Sequence, residues 1–250
     1  MKKIVIVLCF VLLLTTTLPF YTNAQNVENA NVNEGEINFI LDSPELSIYQ
    51  YKKDNILYET HESVEKIDEK EKININVYRI DGENKSLVDN GTITISEITT
   101  DLIEVESENG ETLFIDTSNP DVSLITPRAA YGGSYIADVR YRVFSNGVAE
   151  AIMSGQNPYY KNTKKNNSNF IRFQGHADGL KSKELDLATF GIASLADDII
   201  KALKAGNLLS WTLIKKVVNG AIKIGPFGAA LTLYQYGQDW LGARDYYRKI

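Results

Sequence analysis

Chemistry in this chain would have to come from few residues. There are two histidines, His61 and His176, far apart in sequence, and one cysteine, Cys9. The string Gly175-His176-Ala177-Asp178-Gly179 sets an imidazole and a carboxylate close together, the nearest approach to an acid–base pair. It reads more simply as a glycine-flanked turn carrying a solvated histidine. Asp197-Asp198 falls on the polar side of a helix and needs no metal. Neither HExxH nor a His-x-His pair occurs, and a zinc site would need an unusual density of carboxylates. The G-x-S-x-G elbow, the P-loop and G-x-G-x-x-G are absent. The sequence predicts a non-enzymatic protein with no catalytic residue, no metal and no cofactor.

The other chemistry on offer is positive charge beside an apolar surface, in Leu209 to Ile224. On a helix, Trp211, Leu213, Ile214, Val217, Val218, Ala221, Ile222 and Ile224 share one broad face, and Thr212, Lys215, Lys216, Asn219 and Lys223 fall opposite. Three lysines disfavour a transmembrane span, which wants ~20 nearly uncharged residues. Two readings stay open: a core helix with a basic rim, or a helix that meets lipid. On the second, Trp211, Ile214, Val218, Lys215, Lys216 and Lys223 contact the membrane.

The elements around this helix follow from periodicity. Ile73, Ile75 and Val77 alternate with Asn74, Asn76 and Tyr78, as in a half-buried strand. Glu36 to Leu41, Ser47 to Tyr51, Ile56 to Glu59, Leu102 to Glu106 and Thr112 to Ile115 read as further strands. Asp81-Gly82, Asn90-Gly91 and Asn109-Gly110 read as tight turns, and the charge run Ser63 to Lys72 as a solvated loop or short helix. Beyond the middle, Tyr135 to Val143 and Val148 to Met153 form a hairpin through Ser145-Asn146-Gly147, Asn157 to Asn169 is a basic exposed loop, and Phe170 to Phe173 a third strand. Three helices follow: one through Leu185, Ala188, Ile192, Leu195, Ile199 and Leu203, ended by Gly206-Asn207; the amphipathic segment, stopped by Gly225-Pro226; and a last one from Phe227 to about Tyr247. The fold class predicted is α+β: an N-terminal antiparallel β module, a short β-hairpin region, and a C-terminal helical hairpin or three-helix bundle.

Residues 1–24 have the three parts of a secretory signal peptide: Lys2 and Lys3, the apolar run Ile4 to Leu14, and small residues at Thr22 and Ala24. Cys9 lies inside that run, so the mature chain would have no cysteine and would rely on ordinary core burial. The remainder divides into a disordered leader 25–36, an acidic β-rich domain or propeptide 37–117, a linker 118–133 and a basic domain 134–250. Gln25 to Pro127 has 7 Lys+Arg against 23 Asp+Glu, whereas Arg128 to Ile250 has 17 against 9. Such asymmetry suggests a charged partner or an intramolecular mask. Arg128 and Ala130, in a small-residue stretch, are candidate processing positions for a protease. Tyr141, Arg142 and Phe144, then Tyr159, Tyr160 and Lys161, could stack bases, but an exported protein seldom meets nucleic acid, and no nucleic-acid partner is expected.

This layout (signal peptide, acidic β-rich leader, basic cysteine-free remainder, Gly/Ala-rich helical end) resembles the large unmodified secreted bacteriocins of the geobacillin type. The resemblance spans the chain and rests on no motif, so it transfers no site residue. It implies a secreted antibacterial protein of Gram-positive origin. The expected function is antimicrobial or toxin-like action on an anionic membrane or cell envelope: electrostatic attraction, then insertion of the amphipathic segment. The alternatives are a non-catalytic secreted interaction protein whose helices are only its core, and, third, an exported hydrolase using His176 and Asp178.

Overall fold

Alternating β-branched residues and glycine turns build the first layer. In the computed structural model, which describes residues 32–118, 131–222 and 225–250, seven strands follow one another as an antiparallel meander. They are β1 (Ile37–Asp42), β2 (Leu46–Lys53), β3 (Ile56–Ile67), β4 (Lys70–Asp81), β5 (Asn84–Thr99), β6 (Leu102–Ser107) and β7 (Thr112–Asp116), each paired with the next. Ile73, Ile75, Ile93, Ile95 and Val105 point into the core. Gly82 and Gly110 take positive φ at two of the expected turns.

Two stretches of this layer differ from expectation. Ser63 to Lys72 is no loop: it forms the end of the β3–β4 hairpin, where Glu65 faces Lys72 and Lys66 faces Glu71 across the strands. Opposite charges paired across a ladder make a polar run compatible with a strand. Asn90-Gly91 lies inside β5 and makes no turn. A Cβ on Gly91 would sit 3.1 Å from Leu208 Cδ1, so glycine here lets a loop approach the sheet.

A second antiparallel sheet has the order β11-β10-β9-β8, from β8 (Gly132–Ser134), β9 (Val139–Val143), β10 (Val148–Met153) and β11 (Tyr160–Lys164). The turn at Gly147 is as expected. The predicted Tyr135 to Val143 strand starts late, because residues 135–138 turn between β8 and β9. The basic stretch Asn157 to Asn169 contains β11, and its Lys161 donates to the carbonyl of Tyr247 at 2.9 Å.

Among the described residues, four helices complete the α+β fold: α1 (Ser168–Thr189), α2 (Ala193–Lys204), α3 (Trp211–Ala221) and α4 (Pro226–Lys249). Phe170 to Phe173, read as a strand, opens α1. Asn167 accepts from the backbone N–H groups of Asn169 and Phe170 as N-cap, and Phe170, Phe173, Ala177, Leu180 and Leu187 are buried at helical spacing. Gly175 and Gly179 hide this helix from a propensity reading. The helix expected through Leu185 and Leu203 is broken at Gly191, φ +72°. Val32–Ile250 forms one compact unit, with sheet isoleucines and helix aromatics in one core. The acidic segment 37–117 and the basic segment 134–250 are thus parts of one body, because their apolar faces cover each other. The expected signal peptide, most of the expected leader (25–31), and residues 119–130 of the expected linker with Arg128 and Ala130 lie outside the described residues, as do Lys223 and Ile224.

Candidate functional site

Helix α3 is built around its N-terminus. Ser210 takes an extended backbone and accepts from Leu213 N at 3.1 Å, which satisfies one orphan donor of the first turn. Two more are satisfied from the sheet: Glu62 on β3 accepts from Trp211 N at 2.7 Å and Thr212 N at 2.8 Å. It accepts further from Ser210 Oγ at 3.0 Å and Tyr49 Oη at 2.6 Å. Glu62 is fully buried. Four donors and the positive end of a helix dipole accommodate its charge there. Burial and the neighbouring Glu62 hold the Tyr49 phenol well above its ordinary pKa.

The apolar face of α3 is closed. Trp211, Ile214, Val217 and Val218 are fully buried, and the Trp211 ring packs against Phe39, Phe227 and Tyr234 at centroid distances of 4.8, 5.7 and 6.0 Å. The polar rim meets the acidic sheet: Lys215 pairs with Asp42, and Lys216 Nζ lies 2.7 Å from Glu71 and 3.0 Å from Glu97. Burial works against the Lys216 charge, but the two carboxylates outweigh it and raise its pKa. Of the residues expected to contact a membrane, Trp211, Ile214 and Val218 therefore stand in the core, and Lys215 and Lys216 in ion pairs. In this fold the helix is a core helix with a basic rim, because the sheet packs over the face that the sequence leaves open.

The histidine string also has a different form. Residues 175–179 run within α1, so His176 and Asp178 leave the helix in different directions. His176 Nδ1 lies 3.0 Å from Asp239 on α4, and Lys183 Nζ lies 2.7 Å from the other oxygen of that carboxylate. Its ring stacks on Tyr246, centroids 5.7 Å apart and planes 20° apart. Asp178 accepts from the Tyr141 hydroxyl at 2.8 Å. On the outer face of the first sheet, Glu59 is bonded by His61 and Lys85, each at 2.5 Å, and by Gln50 at 2.9 Å. Burial alone would raise the Glu59 pKa, yet these donors hold it at about 2.

A cleft of about 1090 Å³ lies among β2–β5, α1, α4 and the loop between α2 and α3. Tyr51 and Tyr58, cross-strand neighbours, stack along it at 5.5 Å and 16°. Arg244 and Asn207 line it too. Sequence reading missed Glu62, Asp239 and Arg244. Glu62 left one signal: it sits at the alternating position that Thr60 also holds, in a stretch that runs on as a strand.

Among the described residues, no group of three His, Cys, Asp or Glu could hold a metal, and no helix is long and apolar enough to cross a membrane. Compared with protein-family models, with curated proteins and with solved structures, the chain matches none.

Proposed function

We propose that this is a secreted, non-enzymatic antibacterial protein of the bacteriocin kind, in which the acidic sheet holds a cationic amphipathic helix closed until the chain meets an anionic envelope. One observation carries the reading: Asp42, Glu62, Glu71 and Glu97, all from the acidic half, engage the N-terminus and both described lysines of α3. Lipid or wall-polymer phosphates compete for Lys215 and Lys216, each lysine near an anionic surface contributing about 1 kcal/mol. Release of α3 then presents Trp211, Ile214 and Val218 to the interface. A protease acting at Arg128 or Ala130 is a second route to the same release.

Dye leakage from anionic vesicles tests this. The variant Asp42→Asn, Glu71→Gln, Glu97→Gln is expected to bind and leak vesicles faster than the parent chain. The variant Lys215→Gln, Lys216→Gln, Lys223→Gln is expected to lose ~3 kcal/mol of attraction, roughly a hundredfold in vesicle affinity. Folded protein that leaves vesicles intact in every form defeats the proposal. That outcome favours a non-catalytic secreted interaction protein, the reading supported by the complete burial of Trp211, Ile214 and Val218.

A further inference from the structure

We propose that the cleft between the first sheet and α4 is a binding site for an oligosaccharide, whose hydroxyl or amide groups serve Arg244, Asn207 and Asp89 while a sugar ring lies against the Tyr51–Tyr58 pair. Two buried polar atoms on its wall lack a partner among the described residues. Asn207 is 8% exposed; its Nδ2 donates to the Ala202 carbonyl at 3.1 Å, and its Oδ1 accepts from nothing. Arg244 has a side chain 26% exposed, a guanidinium over the Trp240 ring at 5.3 Å, and a buried Nε–H without a hydrogen-bond acceptor. Its nearest carboxylate, Asp245 Oδ1, is 3.8 Å away, beyond hydrogen-bond range, and the other Asp245 oxygen is held by Lys53 at 2.6 Å. Both atoms are shielded from water, and a small turn of either side chain toward the cleft lets a ligand hydroxyl or amide supply the hydrogen bond that the folded chain leaves unmade.

The chemistry of the wall narrows the ligand. Arg244 only donates and Asp89 only accepts, and the orphan oxygen of Asn207 needs a donor. A hydroxyl does both, and an acetamido group offers an N–H and a C=O. A strongly anionic ligand meets Asp89 and Asp245, and a strongly cationic one meets Arg244 and Lys53, so neither sign is favoured throughout the cleft. The near-parallel Tyr51 and Tyr58 rings supply aromatic surface at the cleft, on which the C–H face of a pyranose can pack. Polar groups placed around an apolar wall are the usual composition of a small-molecule site, and the volume exceeds what one sugar ring needs. The cleft borders α3 through Leu209 and Tyr234, but the sugar contacts proposed here use none of the α3 residues, so binding to the closed fold does not depend on that helix acting on membranes.

The test is calorimetry and NMR titration of the full chain with tetramers of β-1,4-linked N-acetylglucosamine and of β-1,4-linked glucose. Glycerol phosphate oligomers and laurate serve as anionic and amphiphilic probes. At least one tetrasaccharide is expected to bind, with Tyr58→Ala and Arg244→Gln each weakening it tenfold or more and Lys164→Gln, on the second sheet, leaving it unchanged. Where Arg244→Gln unfolds the chain, Arg244→Lys carries the comparison, since an ammonium keeps the charge and loses the planar fork. No binding of either tetrasaccharide at about 10 mM, a regime weaker than millimolar affinity, overturns the proposal. So does binding that survives both substitutions, or binding of the anionic probes alone.

Discussion

The backbone N–H of Trp211 donates to Glu62 Oε1 at 2.7 Å across 149 residues of chain, which ties the first turn of the cationic helix to the acidic sheet. The same carboxylate takes Thr212 N, Ser210 Oγ and the Tyr49 hydroxyl. Removing it would strand several buried donors at once. Glu62→Ala is expected to destabilise the fold by about 3–5 kcal/mol, the range for deleting one partner of a buried charged network. Urea unfolding of the two proteins measures this; a loss below about 1 kcal/mol would mean that water replaces the carboxylate.

A pH effect follows from Glu59. Its folded pKa, held at about 2 by His61, Lys85 and Gln50, lies below its ordinary value of 4.5. A depressed carboxylate contributes stability that is fully present above the unfolded pKa and is lost as pH falls through the folded one. The window is therefore from about pH 4.5 down to about pH 2. Lys85 is half exposed, so solvent screening reduces the effect. Glu59→Gln should cost on the order of 1–2 kcal/mol at pH 7 and almost nothing near pH 2. Parallel denaturation curves at both pH values decide it, and a difference that is the same at both would remove the charge from the explanation.

Gly242 on α4 lies against His176 on α1: a Cβ added there would fall 2.5–2.8 Å from three ring atoms of the histidine. In an exposed helix, glycine to alanine gains ~1 kcal/mol. Here Gly242→Ala is expected to destabilise by about 2 kcal/mol, since the imidazole is fixed by Asp239 and Tyr246. Thermal unfolding gives the sign directly. A second substitution, His176→Ala, should restore the alanine at 242 to a neutral or stabilising change.

Local pattern carried much of the first layer. Alternation at Ile73, Ile75 and Val77, and positive-φ glycines at 82, 110 and 147, locate strands and turns because side-chain period and backbone sterics act within a few residues. The same holds for the break at Gly225-Pro226 between α3 and α4. Where local rules failed, a distant partner had intervened. Lys66 and Glu71 made a strand of an apparent loop, Leu208 claimed the space over Gly91, and α4 packed on Gly179, one of the two glycines that disguise α1.

By itself the sequence determined that the segment containing Trp211–Ala221 would be a helix with an apolar face and a lysine rim, since that depends only on residue spacing. Which surface covers that face is a matter of tertiary packing. The apolar residues of α3 would be served equally by lipid or by a protein core, and periodicity is identical in the two cases. Phe39 closes over Trp211 beside Tyr234, and Asp42, Glu71 and Glu97 reach Lys215 and Lys216, only when the seven-stranded sheet is wrapped against the helices. The contacts with the sheet join residues more than a hundred positions apart, and hydrophobic burial, which is non-directional, leaves no trace of its partner in the local sequence.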